Sequence, residues 1–119
     1  MPARRVTPIL NVSSLEDSIA WFEKLGWKKD WIWEPPDFGS VSSGEIEIFL
    51  ALNSQGGQGV NGTWLQVWVD DVDAVHRRCV EQGLDVKWPP TDCPWNLREM
   101  RVRHPDGHVL RIGQSMPEE

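Results

Sequence analysis

Eight tryptophans, no tyrosine and only three phenylalanines give this chain its first chemical signature. An indole offers a wide flat face and one N–H donor, so Trp31, Trp33, Trp64 and Trp68, together with Phe49, are residues able to hold planar groups by stacking. Glu47, Gln66, Glu99, Arg101 and Arg111 supply polar groups in the same strand pattern. Glu99 beside Arg101 and Arg111 reads as a salt-bridge cluster and a polar anchor, while Glu47 and Glu99 are expected to draw a cationic tail. The competing chemistry makes Glu47 or Glu99 a catalytic base of a lyase or isomerase, but no matched acid accompanies either. Ser13, Ser14 and Ser18 have no histidine placed to activate them. His104 and His108 flank a Pro-Asp-Gly turn, where exposure is expected, and Cys79 and Cys93 lack metal-site spacing.

The net charge of −6, with no basic tract, argues against a nucleic-acid partner and suits a cationic small molecule. No run approaches the ~20 apolar residues of a membrane span, and MPARRV lacks the apolar centre of a secretory signal. A membrane role is therefore not expected, and the cytoplasm is the expected compartment.

The elements that must position these residues are written twice. Subtraction pairs Val12 with Val69 and Gly26 with Gly83 (69 − 12 = 57; 83 − 26 = 57), so that TPILNVSSLEDSIAWFEKLG and WLQVWVDDVDAVHRRCVEQG each read strand, turn, helix. Modules at about 5–53 and 63–114 follow, joined by the Gly-rich linker 54–62. In the first, a strand over Val6–Val12 leads to a helix capped by the Ser13/Glu16 box, with Leu15, Ile19 and Phe22 as its stripe and Gly26 as its stop. The run from Trp27 to Glu34 alternates so that Trp27, Lys29, Trp31 and Trp33 share a face, and Ile46, Ile48 and Leu50 point to the helix. In the second, Asp70 and Asp71 open a helix with stripe Val72, Val75, Cys79 and Val80; the strand after Leu84 stops at Pro89-Pro90. Helices cover one face of the strands, and the opposite face curls into a trough lined by the aromatic and charged residues named above. Neither half, at roughly 55 residues, buries enough to be robust alone, so the halves lean on each other or on a second chain.

The opening P-I-L-N-V-S-S-L-E-D-S-I-A-W-F-E-K-L-G-W, the start L-Q-V-W-V-D-D-V-D-A and the closing W-N-L-R-E-M-R-V-R-H-P-D-G-H-V-L-R-I resemble the vicinal oxygen chelate superfamily over about residues 5 to 113. That group includes glyoxalase I, extradiol dioxygenases, and fosfomycin- and bleomycin-resistance proteins. The resemblance implies an α+β fold of two tandem β-α-β-β-β modules, forming a curved mixed sheet with helices on its outer face, and commonly a homodimer. Metal-using members carry His or Glu at four strand positions, which fall here on Thr7, Phe49, Trp64 and Arg111. None is a good ligand for a divalent ion, so no metal and no cofactor are expected. Pro8, the W-x-x-V-x-V opening of the second half and P-W-N-L-R-E look most like the bleomycin-resistance branch. That branch implies metal-free sequestration of a drug in an aromatic groove, and hence antibiotic resistance.

Overall fold

Helix entry and exit follow the same local chemistry at positions 57 residues apart. In a computed structural model that describes residues 2–34, 37–52 and 62–117, Ser14 caps α1 (Leu15–Leu25) by accepting the Asp17 amide, and Asp71 caps α2 (Val72–Glu81) by accepting the Ala74 amide. The cap is thus Ser14 and not Ser13, and it obeys the repeat (71 − 14 = 57). Both helices end alike. Gly26 (φ 106°) and Gly83 (φ 69°) take the left-handed conformation, and the amides of Trp27 and Leu84 close back onto the carbonyls of Phe22 and Cys79.

The chain divides into two compact units, Met1–Gly59 and Val60–Glu119. In the first, β1 (Ile9–Asn11), β2 (Lys28–Trp33), β3 (Phe38–Ser43) and β4 (Ile46–Ala51) form a mixed sheet in the order β1-β4-β3-β2, with β1 and β4 parallel. In the second, β5 (Trp64–Trp68), β6 (Asp85–Cys93), β7 (Leu97–Arg103) and β8 (Val109–Ser115) repeat that order as β5-β8-β7-β6, with β5 and β8 parallel. Each unit is one β-α-β-β-β module of an α+β fold. The linker predicted at 54–62 lies, except for Gly62, outside the described residues.

In each unit the helix covers one face of the sheet. Leu10, Val41, Ile48 and Leu50 are buried in the first unit together with Leu15, Ile19 and the fully buried Phe22, whose ring packs edge-on to Trp21 and Trp27. Gly39 permits this approach, since a Cβ there would stand 3.3 Å from Leu15 Cδ1. The second helix is held by polar ties as well as packing. Arg98 grips Asp73 through two hydrogen bonds and Asp92 through a third, while Gln114 accepts the Val72 amide.

Several expectations are corrected. The first strand begins at Ile9, not Val6. In β2 the pairing register shifts between Lys29 and Trp31, leaving Asp30 as an extra residue, so Trp27 and Lys29 do not share a face with Trp31 and Trp33. Val80 is 60% exposed because the fully buried Cys79 takes the inward position and Val80 lies ~100° further round the helix. Strand β6 runs through Pro89-Pro90 to Cys93, which is possible because it is a sheet edge and its register shifts between Trp88 and Thr91.

His104 and His108, expected to be exposed, are buried. His104 Nδ1 accepts the Asp106 amide, His108 Nδ1 accepts the Thr63 amide, and the rings lie 5.4 Å apart. Burial, reinforced by His108 and only partly opposed by Asp106, pushes the His104 pKa from 6.5 down to about 4. The unfolded chain therefore binds a proton that the folded chain refuses. The stability contributed by neutral His104 is present above pH 6.5 and is lost as pH falls towards 4, by roughly 3 kcal/mol in all. Urea unfolding across that window is expected to show this slope in the native protein and a shallower one in His104→Asn, whose side-chain oxygen can still accept the Asp106 amide. Equal slopes would contradict the assignment.

Candidate functional site

The faces away from the helices carry the residues singled out by the sequence, and register shows how they line up. In the second unit Gln66 lies opposite Arg111, Arg111 opposite Arg101, and Arg101 opposite Trp88, which makes one row across all four strands. The next row runs from Trp68 through Gly113 and Glu99 to Thr91.

Glu99 is fully buried and would be costly there without partners. It has two. Arg111 donates Nε to Oε2 at 3.0 Å and Nη2 to Oε1 at 3.1 Å, and Arg101 donates Nε to Oε2 at 3.1 Å. Burial would raise the carboxyl's pKa, but the hydrogen bonds from Arg111 and Arg101 overcome it and hold Glu99 below its ordinary 4.5. An acid so stabilised is a poor proton acceptor, which removes support from Glu99 as a catalytic base. Its charge is also consumed by the two guanidiniums, so it offers no lure to a cationic tail.

Arg101 is held from a second direction. Its guanidinium lies 4.4 Å from the Trp88 ring centroid and 5.6 Å from that of Trp64. Trp64 and Trp68 remain 53% and 63% exposed. They are four residues apart on β5, a spacing of ~13 Å, so they are separate stacking surfaces with Gln66 between them. Gly113 makes room for this row: a Cβ there would come within 2.8 Å of Gln66 Nε2 and 2.9 Å of Leu97 Cδ1.

The first unit repeats the geometry with other chemistry. The register shift before Trp31 recurs before Trp88 (88 − 31 = 57), and Ile9 lies opposite Phe49 as Gln66 lies opposite Arg111. Trp31 stacks on Phe38 at 6.0 Å and both rings meet Phe49, so this aromatic group packs largely on itself. Glu47 Oε2 accepts the hydroxyl of the buried Ser40 at 2.6 Å, and Asp30 Oδ2 stands 3.1 Å from the same hydroxyl. Arg5 and Lys28 approach Glu47 and Asp30 at 3.9 and 4.0 Å. Trp33 is 66% exposed and joins none of these ring contacts.

The structure thus brings Glu99, Arg101, Arg111 and Trp64 together in the second unit, with Gln66 and Trp68 alongside. It brings Trp31 and Phe49 together in the first, with Glu47 on the same face. Trp88, Phe38, Ser40 and Asp30 were not among the predicted residues. Trp88 was detectable as Trp31 shifted by the repeat; the others depend on register, which composition does not display. A cavity of about 690 Å³ lies on the helix side of the first unit, lined by Ser14, Leu15, Ile19, Lys29, Ile32 and Leu52 among others, and contains none of the predicted residues. A smaller one of about 260 Å³ is lined by Trp68, Val69, Asp70, Gln114 and Ser115.

The model of the Glyoxalase/Bleomycin resistance protein/Dioxygenase superfamily matches residues 5–112. The chain belongs to that superfamily. Its fold is similar to the crystal structure of TioX from Micromonospora sp. ML1 (TM-score 0.85, 20% identity, 96% of this chain and 100% of that one). It is also similar to a bleomycin-binding protein complexed with bleomycin (TM-score 0.78, 17% identity, 95% and 99%). A third similar structure is the bleomycin-binding protein of Streptomyces verticillus complexed with copper(II)-bleomycin (TM-score 0.75, 22% identity, 99% and 99%). No curated protein matches the chain in sequence.

The positions at which metal-using relatives place ligands do not fit a divalent ion here. Phe49 and Trp64 present rings, and Arg111 is a cationic donor committed to Glu99. Among the described residues no group of three or more His, Cys, Asp or Glu is arranged to hold a metal.

The clamp on Glu99 gives a stability prediction. Glu99→Gln replaces an acceptor oxygen by an amide that faces two guanidiniums, and is expected to cost about 3 kcal/mol. The reading is a lower urea midpoint at pH 7 with an unchanged slope. Because the folded pKa lies below 4.5, the native protein should lose this contribution only as pH falls below that value. An unchanged midpoint in the variant would contradict the clamp.

Proposed function

We propose that this protein binds and sequesters a planar aromatic drug or metabolite, without a metal and without turning it over. The observation that carries the reading is the second unit's open face, where two largely exposed indoles, Trp64 and Trp68, flank a row containing Arg101 stacked on Trp88. Such a surface holds flat rings by stacking, at about 0.5–1.5 kcal/mol per ring pair beyond burial. Kinship with a superfamily that includes bleomycin-resistance proteins, and a fold shared with bleomycin-binding proteins, support a role in antibiotic resistance. Glu99 acts in this account as the internal support of the arginines. Trp31, Trp33, Glu47 and Phe49 form a separate ligand-binding face of the first unit.

The working form is a cytoplasmic homodimer. Small units with an exposed indole outside those faces, Trp95, gain most from association. Among the described residues no helix is long and apolar enough to cross a membrane.

Titration with a panel of planar aromatic drugs, bleomycin among them, is expected to quench tryptophan emission saturably for at least one compound. That compound should be recovered chemically unchanged, and Trp64→Ala should weaken its binding. A flat response to every compound would contradict the proposal, as would product formation. Light scattering should give a mass near 27.2 kDa (2 × 13.6); the mass of one chain would contradict the dimer.

A further inference from the structure

The second unit's open face has a defined charge. Glu99 contributes one negative charge, and Arg101 and Arg111 contribute two positive ones, so the cluster is left with a net +1 despite the chain's overall −6. Each guanidinium has five N–H donors. Arg111 uses Nε and Nη2 on Glu99, and Arg101 uses Nε alone. Among the described residues, Arg111 Nη1 and both Nη atoms of Arg101 have no protein acceptor. Side-chain exposures of 30% for Arg101 and 33% for Arg111 leave them partly open to solvent.

The geometry also restricts what can approach. The Arg101 Cζ lies over the Trp88 ring at 4.4 Å and over the Trp64 ring at 5.6 Å, and the inner, Nε edge of the guanidinium faces Glu99. What remains for a polar partner is the outer edge, a planar fork that matches two coplanar oxygens. An ammonium placed there would meet uncompensated positive charge. The half-exposed Trp64 indole lies beside the fork and provides a surface for a ring attached to those oxygens.

We propose that this face takes a planar aromatic carboxylate, with its two oxygens on the Nη groups of Arg101 and its ring against Trp64. The proposal rests on the reading of the chain as an aromatic-ligand binder and fixes the ligand's charge, which is opposite to the cationic ligand expected from net charge. Arg111 has a positioning role, since it holds Glu99 and thereby the inner edge of Arg101.

Calorimetric titration of the native protein with 2-naphthoate, 2-naphthamide and 2-naphthylmethylammonium separates the claims, because the three share a ring and differ in charge. Naphthoate should bind at least about tenfold more tightly than the amide, and the ammonium most weakly. The preference should shrink in high salt, since the fork is partly solvated. Equal binding of acid and amide, or tighter binding of the ammonium, overturns the carboxylate proposal and leaves the aromatic-binder reading standing. No binding of any of the three overturns the carboxylate proposal, while the aromatic-binder reading is decided by the drug panel above. Arg101→Gln should reduce naphthoate to the affinity of the amide, and Arg101→Lys should restore part of the loss. Unchanged naphthoate binding in a folded Arg101→Gln variant overturns the placement. If that variant does not fold, Trp64→Ala, a change at a half-exposed position, makes the same test: weaker naphthoate binding supports the placement and unchanged binding overturns it.

Discussion

A carboxylate with no exposure to solvent has to be answered by its neighbours, and the second unit is arranged around that need. Glu99 receives three N–H groups from two arginines on β7 and β8. Satisfying it fixes the inner edges of both guanidiniums, and the Trp88 ring, 4.4 Å from the Arg101 Cζ, holds one of them from a second direction. Gly113 is required on the same face because a side chain there would collide with Gln66 and Leu97. The character of the open face follows. It is flat, aromatic and locally positive, although the chain as a whole is acidic.

The two units show how one backbone plan carries different chemistry. Helix caps, helix stops and the register shift before Trp31 and Trp88 recur 57 residues apart (88 − 31 = 57). These features depend on local sequence: a side-chain oxygen at the cap, a glycine in the left-handed region, an extra residue in an edge strand. The side chains on the open faces are free to differ. Where the second unit has Arg111 opposite Gln66, the first has Phe49 opposite Ile9, and where the second stacks a guanidinium on an indole, the first packs Trp31, Phe38 and Phe49 on one another. The first face is therefore partly filled by its own rings, and the second remains the more open one.

The fold was legible in the sequence to the extent that its signals are local or periodic. The doubled strand-turn-helix pattern, the stops at Gly26 and Gly83 and the core positions Leu15, Ile19, Phe22, Ile48 and Leu50 follow from spacing alone. The alternation across Trp27 to Trp33 misled because a single extra residue reverses every side chain beyond it, and nothing in WKKDWIW marks Asp30 as that residue. Pro89-Pro90 misled for a related reason: proline ends a central strand but is tolerated at an edge, and edge position is a property of topology. His104 and His108 looked like turn decoration, since the groups that satisfy their ring nitrogens on burial are the donating amides of Asp106 and Thr63, and Thr63 is 45 residues from His108 in the chain. Glu99, Arg101 and Arg111 were recognisable as a cluster, but their net effect depends on which atoms pair. Three hydrogen bonds onto a buried acid turn an expected acidic lure into a basic platform.

The most direct measurement is the side-chain NMR spectrum of the arginines in protein labelled with nitrogen-15. If Glu99 is clamped as described, two Nε–H signals, assigned to Arg101 and Arg111, will be shifted downfield and protected from solvent exchange at neutral pH, and both will move in Glu99→Gln. Rapid exchange of both signals, or insensitivity of both to Glu99→Gln, would contradict the clamp and the basic aromatic face that depends on it.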